Sequence, residues 1–160
     1  MPGESAPPTQ SPPPLTVAPA TAAPTQPPAT ATPRRAFKIG DAVAFTDGWR
    51  LTVMKIEDQQ AERFFTPKPG AHYVAVTVRH DNGSPKEVSF NSFYFKIQDS
   101  NGVRRDGSIF GTRDDSLKSG QLAPGGFVVG SLTFEVPVGD KGLQLIYEQF
   151  GYAQTTIELF

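Results

Sequence analysis

Beyond Phe37, apolar and polar residues alternate with a period of two, and this pattern constrains the fold more than any other feature of the sequence. In residues 126–136, apolar residues and glycine occupy every second position: Val128, Gly130, Leu132, Phe134 and Val136. Such alternation is typical of β-strands that are buried on one face. Residues 73–78 are largely apolar on both parities, which predicts a central strand covered on both sides.

Turn residues separate these segments at short intervals. Asp47-Gly48 and Asn101-Gly102 supply the positive φ angles that two-residue hairpin loops need, and Pro124-Gly125 suits a type II turn. We predict seven strands, or eight if the short segment 103–105 is included: 41–46, 49–57, 71–80, 87–98, 103–105, 126–136, 142–149 and 154–160.

Helices are not predicted as major elements. No segment of about 12 or more residues carries a convincing helical stripe. The best candidates, Asp58–Phe64 and Asp114–Leu122, are one or two turns long. Many short strands joined by short turns indicate an all-β fold, an immunoglobulin-like antiparallel β-sandwich, with a small barrel as the alternative.

The first 33 residues have a different composition from the rest. They contain 11 of the 16 prolines; proline, alanine and threonine make up 24 of these 33 residues, and Glu4 is the only charge. Such a segment buries too little apolar surface to offset its ordering entropy. We therefore predict a disordered Pro/Ala/Thr-rich linker or stalk at residues 1–35. Residues 36–160, which hold every aromatic residue, are predicted to form one folded domain.

Charge and cysteine content exclude several functions. After the first 33 residues, 15 Lys and Arg balance 15 Asp and Glu, so no basic field is available to neutralise phosphates, and nucleic acid is not expected as a partner. The absence of cysteine excludes disulfides, zinc-thiolate sites and thiol nucleophiles.

The chain shows neither a transmembrane segment nor a secretory signal. No run approaches the roughly 20 apolar residues that span a bilayer, and Met1-Pro2-Gly3-Glu4 provides no basic n-region. Either Met1 is the true start, or an export segment has been lost upstream. The Pro/Ala/Thr tail favours the second explanation, and membrane anchoring is expected only if an upstream lipidated segment has been removed.

Several segments together carry a family resemblance: residues 70–78, 82–84, 93–102, 122–125 and 130–137. Their order and spacing resemble the telokin-like, immunoglobulin-fold domain of unknown function found in bacterial lipoproteins, to which the secreted immunoprotective mycobacterial antigens are related. The resemblance implies an extracytoplasmic, non-enzymatic domain of the cell envelope or a secreted one. It implies no established ligand, so no functional residues transfer.

The two histidines and the serines predict no metal site and no catalytic site. His72 and His80 share a strand parity but lie about 27 Å apart along an extended strand at roughly 3.4 Å per residue, so they cannot hold one metal together. We expect them at the surface or at strand ends. Ser131 lies inside a predicted strand rather than at a nucleophile elbow. No catalytic residue, metal or other cofactor is therefore expected.

An acidic group in a predicted loop could offer oxygen ligands to calcium: Asp106, Asp114 and Asp115. Three arginines are interleaved with it: Arg104, Arg105 and Arg113. Because they neutralise the local field, we predict surface ion pairs instead of a calcium site.

Some aromatic residues occupy loops or the parity assigned to solvent: Phe64, Phe65, Tyr94, Phe110 and Phe127. Exposed aromatics can anchor a protein partner or stack on sugar rings. The alternative is that loops bury them, which is the commonest fate of phenylalanine.

The sequence thus predicts a non-catalytic, extracytoplasmic immunoglobulin-like interaction module with protein partners at the cell envelope. A carbohydrate-binding module that uses exposed aromatics is the alternative. The first hypothesis also predicts that the reading frame upstream of Met1 encodes a hydrophobic signal segment that ends in a small-residue and cysteine motif.

Overall fold

The computed structural model of this chain describes Gly3 and residues 36–60, 65–109 and 113–160. The chain divides into two units, Met1–Pro33 and Arg34–Phe160. The predicted linker at residues 1–35 lies outside the described residues except for Gly3. All structural statements below concern the second unit.

The described residues form β-strands and no α-helix. In chain order the strands are β1 (Phe37–Lys38), β2 (Ala42–Ala44), β3 (Trp49–Gln59), β4 (Ala71–Asn82), β5 (Val88–Phe90), β6 (Phe95–Gln98), β7 (Arg104–Asp106), β8 (Gly120–Leu122), β9 (Phe127–Pro137), β10 (Gln144–Tyr147) and β11 (Thr155–Glu158). The described part of the chain contains no helix with the length and hydrophobicity of a membrane-spanning segment.

The strands form a β-sandwich, which confirms the predicted fold class. One sheet has the antiparallel order β2-β3-β4-β9, and the other has the order β1-β11-β10-β6-β7. In the second sheet β1 pairs with β11 in parallel, and the remaining pairs are antiparallel. β5 and β8 form a separate two-stranded ribbon.

The core lies between the two large sheets and follows the alternation of the sequence. Buried residues of β3, β4 and β9 face those of β6, β10 and β11. The largest fully buried side chains include Trp49, Leu51, Phe134, Phe95, Ile97, Leu145, Tyr147 and Ile157. We call the face of the four-stranded sheet that points away from this core the outer face.

β4 is the most deeply buried strand, as its apolar composition predicts. It lies between β3 and β9 and pairs with both over most of its length. Val76 on the core side and Ala75 on the outer side both have no exposed surface. The prediction of a central strand covered on both faces is therefore confirmed.

The predicted strand 87–98 is interrupted, and this shifts the parity of its aromatic residues. A 3-10 turn at Ser92–Tyr94 separates β5 from β6, and the side chain of Asn91 caps it by accepting a hydrogen bond from Phe93 N at 3.0 Å. As a result Phe93 is 76% exposed, whereas Phe95, two residues later, is buried.

The two short helical candidates are not helices where the structure describes them. Asp58 and Gln59 belong to β3, and residues 61–64 lie outside the described residues. Residues 114–122 contain a turn, a bridge from Ser116 to Ser131, and β8. Within this segment the backbone N–H of Leu117 donates to the carbonyl of Ser131 at 2.8 Å, so the segment bonds to β9 rather than to itself.

Candidate functional site

An exposed apolar patch with one cation lies on the outer face, at the start of β9. We call it the β9 patch and define it as Arg79, Phe127 and Val129. Phe127 is 59% exposed and Val129 is 43% exposed. The pairing of β4 with β9 sets Arg79 opposite Val129, and the Arg79 guanidinium carbon lies 4.3 Å from the centroid of the Phe127 ring. A cation–π contact therefore holds the patch together.

Asp81 fixes the position of Arg79. Both Arg79 Nε and Arg79 Nη2 donate to Asp81 Oδ1, at 2.9 and 2.6 Å. These hydrogen bonds hold the pKa of Asp81 below its ordinary value and raise the pKa of Arg79. A guanidinium held in this way loses less side-chain freedom when a partner contacts it.

The other end of the outer face is covered by the segment 113–117. Ser131 Oγ donates to Asp115 Oδ2 at 2.9 Å and lies 3.2 Å from the hydroxyl of Thr77. Arg113 bonds both Asp115 and Glu57. Although burial alone would raise the pKa of Asp115, its bonds to Ser131 and Arg113 hold that pKa below the ordinary value. The outer face thus has a covered polar half and an open half that carries the β9 patch.

The five aromatic candidates of the sequence do not form one described surface. Phe127 belongs to the β9 patch, whereas Tyr94 is half-buried and packs edge-on against Tyr147, with ring centroids 6.1 Å apart. Phe65 is half-buried as well. Phe64 and Phe110 lie outside the described residues.

The expectation for the histidines is wrong for His80, which is 1% exposed. It lies on the core side of β4 opposite Leu51, among aromatic rings. Burial lowers its pKa to about 4, so the imidazole is neutral at pH 7. Its Nε2 atom is buried and has no hydrogen-bond partner among the described residues.

The acidic group proposed for the loop is divided between separate ion pairs. Asp106 contacts Lys96 at 2.7 Å, and Asp115 contacts Arg113 at 3.0 Å. Arg105 reaches a different residue, the buried Asp99, at 2.7 Å. The predicted ion pairs are therefore present for Asp106 and Asp115, while Asp114 is exposed.

A groove of about 540 Å³ lies at the end of the sandwich where β3 ends and β4 begins. Its polar wall contains His72, whose Nε2 atom is 3.1 Å from Asp58 Oδ1. On another wall Lys141 Nζ lies 5.1 Å from the centroid of the Phe160 ring. Its walls thus combine an apolar ring with groups of both charges.

Sequence reasoning missed Arg79 and Val129 as members of the patch. Val129 carried a usable signal, since it is an apolar residue on the parity assigned to solvent, as Phe127 is. Arg79 carried none, because its position beside Phe127 depends on the register between β4 and β9. Phe150 was missed too, and it is fully exposed in the loop between β10 and β11.

Two solved structures of similar length share this fold over most of the chain. The yjhA protein from Bacillus subtilis is 18% identical, with a TM-score of 0.61, covering 78% of this chain and 99% of its own. MPT63, a secreted protein from Mycobacterium tuberculosis, is 15% identical, with a TM-score of 0.61, covering 81% of this chain and 99% of its own. At these sequence identities the similarity shows a shared fold and nothing about function.

A longer protein contains a similar domain. The "putative lipoprotein (ycdA)" from Bacillus subtilis subsp. subtilis str. 168 is 14% identical, with a TM-score of 0.62; the match covers 74% of this chain and 38% of that one. No curated protein matches the chain significantly. A family model described as "Domain of unknown function (DUF4352)" matches residues 37–157.

Proposed function

This chain belongs to the DUF4352 family of domains of unknown function, and from that premise we propose that residues 36–160 act as a non-catalytic, extracytoplasmic interaction module. In this proposal the β9 patch contacts a protein partner at the cell envelope. Residues 1–35 serve as a Pro/Ala/Thr-rich stalk that gives the domain reach from its point of attachment.

The observation that carries the proposal is the exposed Phe127 ring with Arg79 positioned over it. Aromatic residues and arginine are enriched at the centres of protein interfaces, where they contribute large contact area and charge-assisted hydrogen bonds. Val129 extends the apolar part of the patch.

The state of the reactive side chains supports a non-catalytic role. His80 is sealed among aromatic rings, and Ser131 is buried and bonded to Asp115. His72 Nε2 lies beside the Asp58 carboxylate. These groups are engaged in the fold rather than directed together at one exposed point.

Two structural neighbours support an extracytoplasmic location. One is described as a lipoprotein candidate and the other as a secreted protein. Treating intact native cells with an added protease tests the location. We expect loss of this protein while a cytoplasmic marker stays intact; equal protection of both would contradict it.

Photo-crosslinking in native cells tests the interaction. A photoreactive phenylalanine analogue replaces Phe127, and a control chain carries it in place of Val103, which is 48% exposed in the β6–β7 hairpin. We expect a discrete crosslinked protein band from position 127 and not from position 103. Absence of any band from position 127 would overturn the proposed contact surface.

A carbohydrate ligand is a second candidate, favoured by the same exposed ring. Phe127 could stack on a sugar while the neighbouring Arg79 and Asp81 hydrogen-bond its hydroxyl groups. A glycan array probed with the wild-type domain and with the Phe127→Ala variant tests this. Binding that disappears in the variant would support the carbohydrate candidate, and no binding by the wild type would exclude it.

A further inference from the structure

We propose that the open edge of β9 pairs with the same edge of a second copy of this chain, in an antiparallel two-fold contact across Phe127–Val129. This inference rests on the proposed function, since it names the protein that the β9 patch contacts. Its basis is the hydrogen-bonding state of the edge, the self-complementary order of its side chains and the charges on either side.

The edge of β9 is occupied at one end and open at the other. Ser131 N donates to Asp115 O at 2.8 Å, and Ser131 O accepts from Leu117 N at 2.8 Å, both on the side opposite β4. Because backbone groups of alternate residues point to the same side of a strand, Val129 and Phe127 direct their N–H and C=O groups to that side as well. No described residue bonds to them there.

The other edges of the two large sheets are protected in ways that this one is not. β7 carries Arg104, Arg105 and Asp106, and charged residues discourage pairing with another chain. β1 and β2 have only two and three residues. The open part of β9 instead presents exposed apolar side chains and no charge of its own.

The side chains at this edge complement themselves under two-fold symmetry. If Val128 lies on the axis, Phe127 of one copy lies opposite Val129 of the other, and the reverse pair forms as well. Both pairs have their backbone groups directed at the partner, so each exchanges two hydrogen bonds. On the outer face each pair brings an aromatic ring against a β-branched side chain, which is a favourable cross-strand contact.

The charges beside the patch do not oppose this contact. The register inside one copy aligns Thr52, Arg79 and Val129 in one row, and Arg50, Asp81 and Phe127 in the next. In the two-fold pair, Val129 at the end of the first row of one copy lies opposite Phe127 at the end of the second row of the other copy. Each central apolar pair then has Arg79 of one copy on one side and Asp81 of the other copy on the opposite side, so like charges do not meet across it.

The turn before β9 bonds to β4 and not to the open edge. Gly125 N donates to Asn82 O at 2.7 Å, so this turn folds toward β4 and away from the open edge. The contact is short, and its buried area is far below the roughly 1,200 Å² of stable complexes. We therefore expect a weak dimer, with a dissociation constant on the order of 0.1–1 mM, that forms where the protein is concentrated.

A single-cysteine variant tests the register, since the chain contains no cysteine. On the axis, position 128 of each copy forms a non-hydrogen-bonded pair with Cα atoms about 4.5 Å apart, within the range of a disulfide. Under mild oxidation we expect Val128→Cys to form a covalent dimer several times faster than Val103→Cys, which reports random collisions. Equal rates would overturn the register.

Sedimentation of the full chain provides a second measurement that does not depend on the cysteine variant. We expect the average mass of the wild type to rise with concentration, and Val129→Lys to remove that rise while Val103→Lys keeps it. A wild type that stays monomeric up to about 1 mM would overturn the inference.

The photo-crosslink from position 127 separates this inference from the proposed function. A crosslink between two copies supports both. A crosslink to a different protein keeps the proposed function and rejects self-pairing, and no crosslink rejects both.

Discussion

The imidazole of His80 stacks on the indole of Trp49, with ring centroids 5.4 Å apart and planes inclined by 21°. Trp49 Nε1 and His80 Nε2 are both buried and have no hydrogen-bond partner among the described residues. Tyr147 and Phe95 contribute further rings around His80. The core thus contains a titratable group that folding keeps in its neutral form.

Acid should destabilise the domain through His80. Burial lowers its pKa from 6.5 to about 4, so the unfolded chain binds more protons between these two values. The contribution of His80 to the free energy of unfolding is therefore fully present above pH 6.5. It is lost as the pH drops toward 4, by up to about 3 kcal/mol. Chemical denaturation across this range measures the loss.

His80→Phe is the matched variant, because it keeps a ring but cannot bind a proton. We expect its stability to change much less between pH 6.5 and 4 than that of the wild type. Carboxylates whose pKa is lowered in the fold lose their own contribution as the pH falls below about 5, in the variant as in the wild type: Glu57, Asp81, Asp99, Asp115 and Asp140. The difference between the two curves therefore isolates His80. Parallel curves for the two proteins would contradict the role of His80.

Gly130→Ala should destabilise the domain by about 1–3 kcal/mol, because the core side of β9 has no room for another methyl group. A Cβ atom at Gly130 would lie 2.7 Å from Leu117 Cα. At Gly107 the nearest atom would be 3.7 Å away, so Gly107→Ala serves as the control and should cost less than about 0.5 kcal/mol. Equal denaturation midpoints would refute the argument.

Asp99→Ala should cost about 2 kcal/mol or more, since it removes a buried carboxylate from the β6–β7 hairpin. Asp99 Oδ1 accepts from Asn101 N and Val103 N, and Asp99 Oδ2 accepts from Arg105. Asp106→Ala removes only an exposed ion pair with Lys96 and should cost less than about 1 kcal/mol. The free energy of unfolding of both variants decides whether burial separates the two carboxylates.

Phe127→Ala should leave stability within about 0.5 kcal/mol of the wild type, because its ring is mostly exposed. Phe134→Ala, on the same strand but fully buried, should cost about 3–5 kcal/mol. Denaturation of the two variants checks this contrast. A large cost at Phe127 would show that its ring serves the fold instead of a contact surface.

The long strands could be predicted because the alternate apolar residues of the sequence are the ones that are buried in the structure. Leu51 and Val53 in β3, and Leu132 and Phe134 in β9, are buried as their parity requires. The turn at Gly102 was also predictable, because its φ of 80° is a conformation that glycine adopts without steric cost.

Interactions between distant segments could not be predicted in the same way. The 3-10 turn at Ser92–Tyr94 is capped by one side chain, that of Asn91, and it leaves Phe93 exposed. β8 is three residues long and exists through its pairing with β5. The burial of His80 and the position of Arg79 over Phe127 both follow from strand register, which a single sequence does not reveal.

The parallel pairing of β1 with β11 has a mechanical consequence. Phe37 pairs with Ile157 and Lys38 with Glu158, and both strands run in the same direction. A force that pulls residue 36 away from residue 160 therefore slides the two strands past each other. Their hydrogen bonds then carry the load together instead of opening one after another, so the contact resists stretching of the chain.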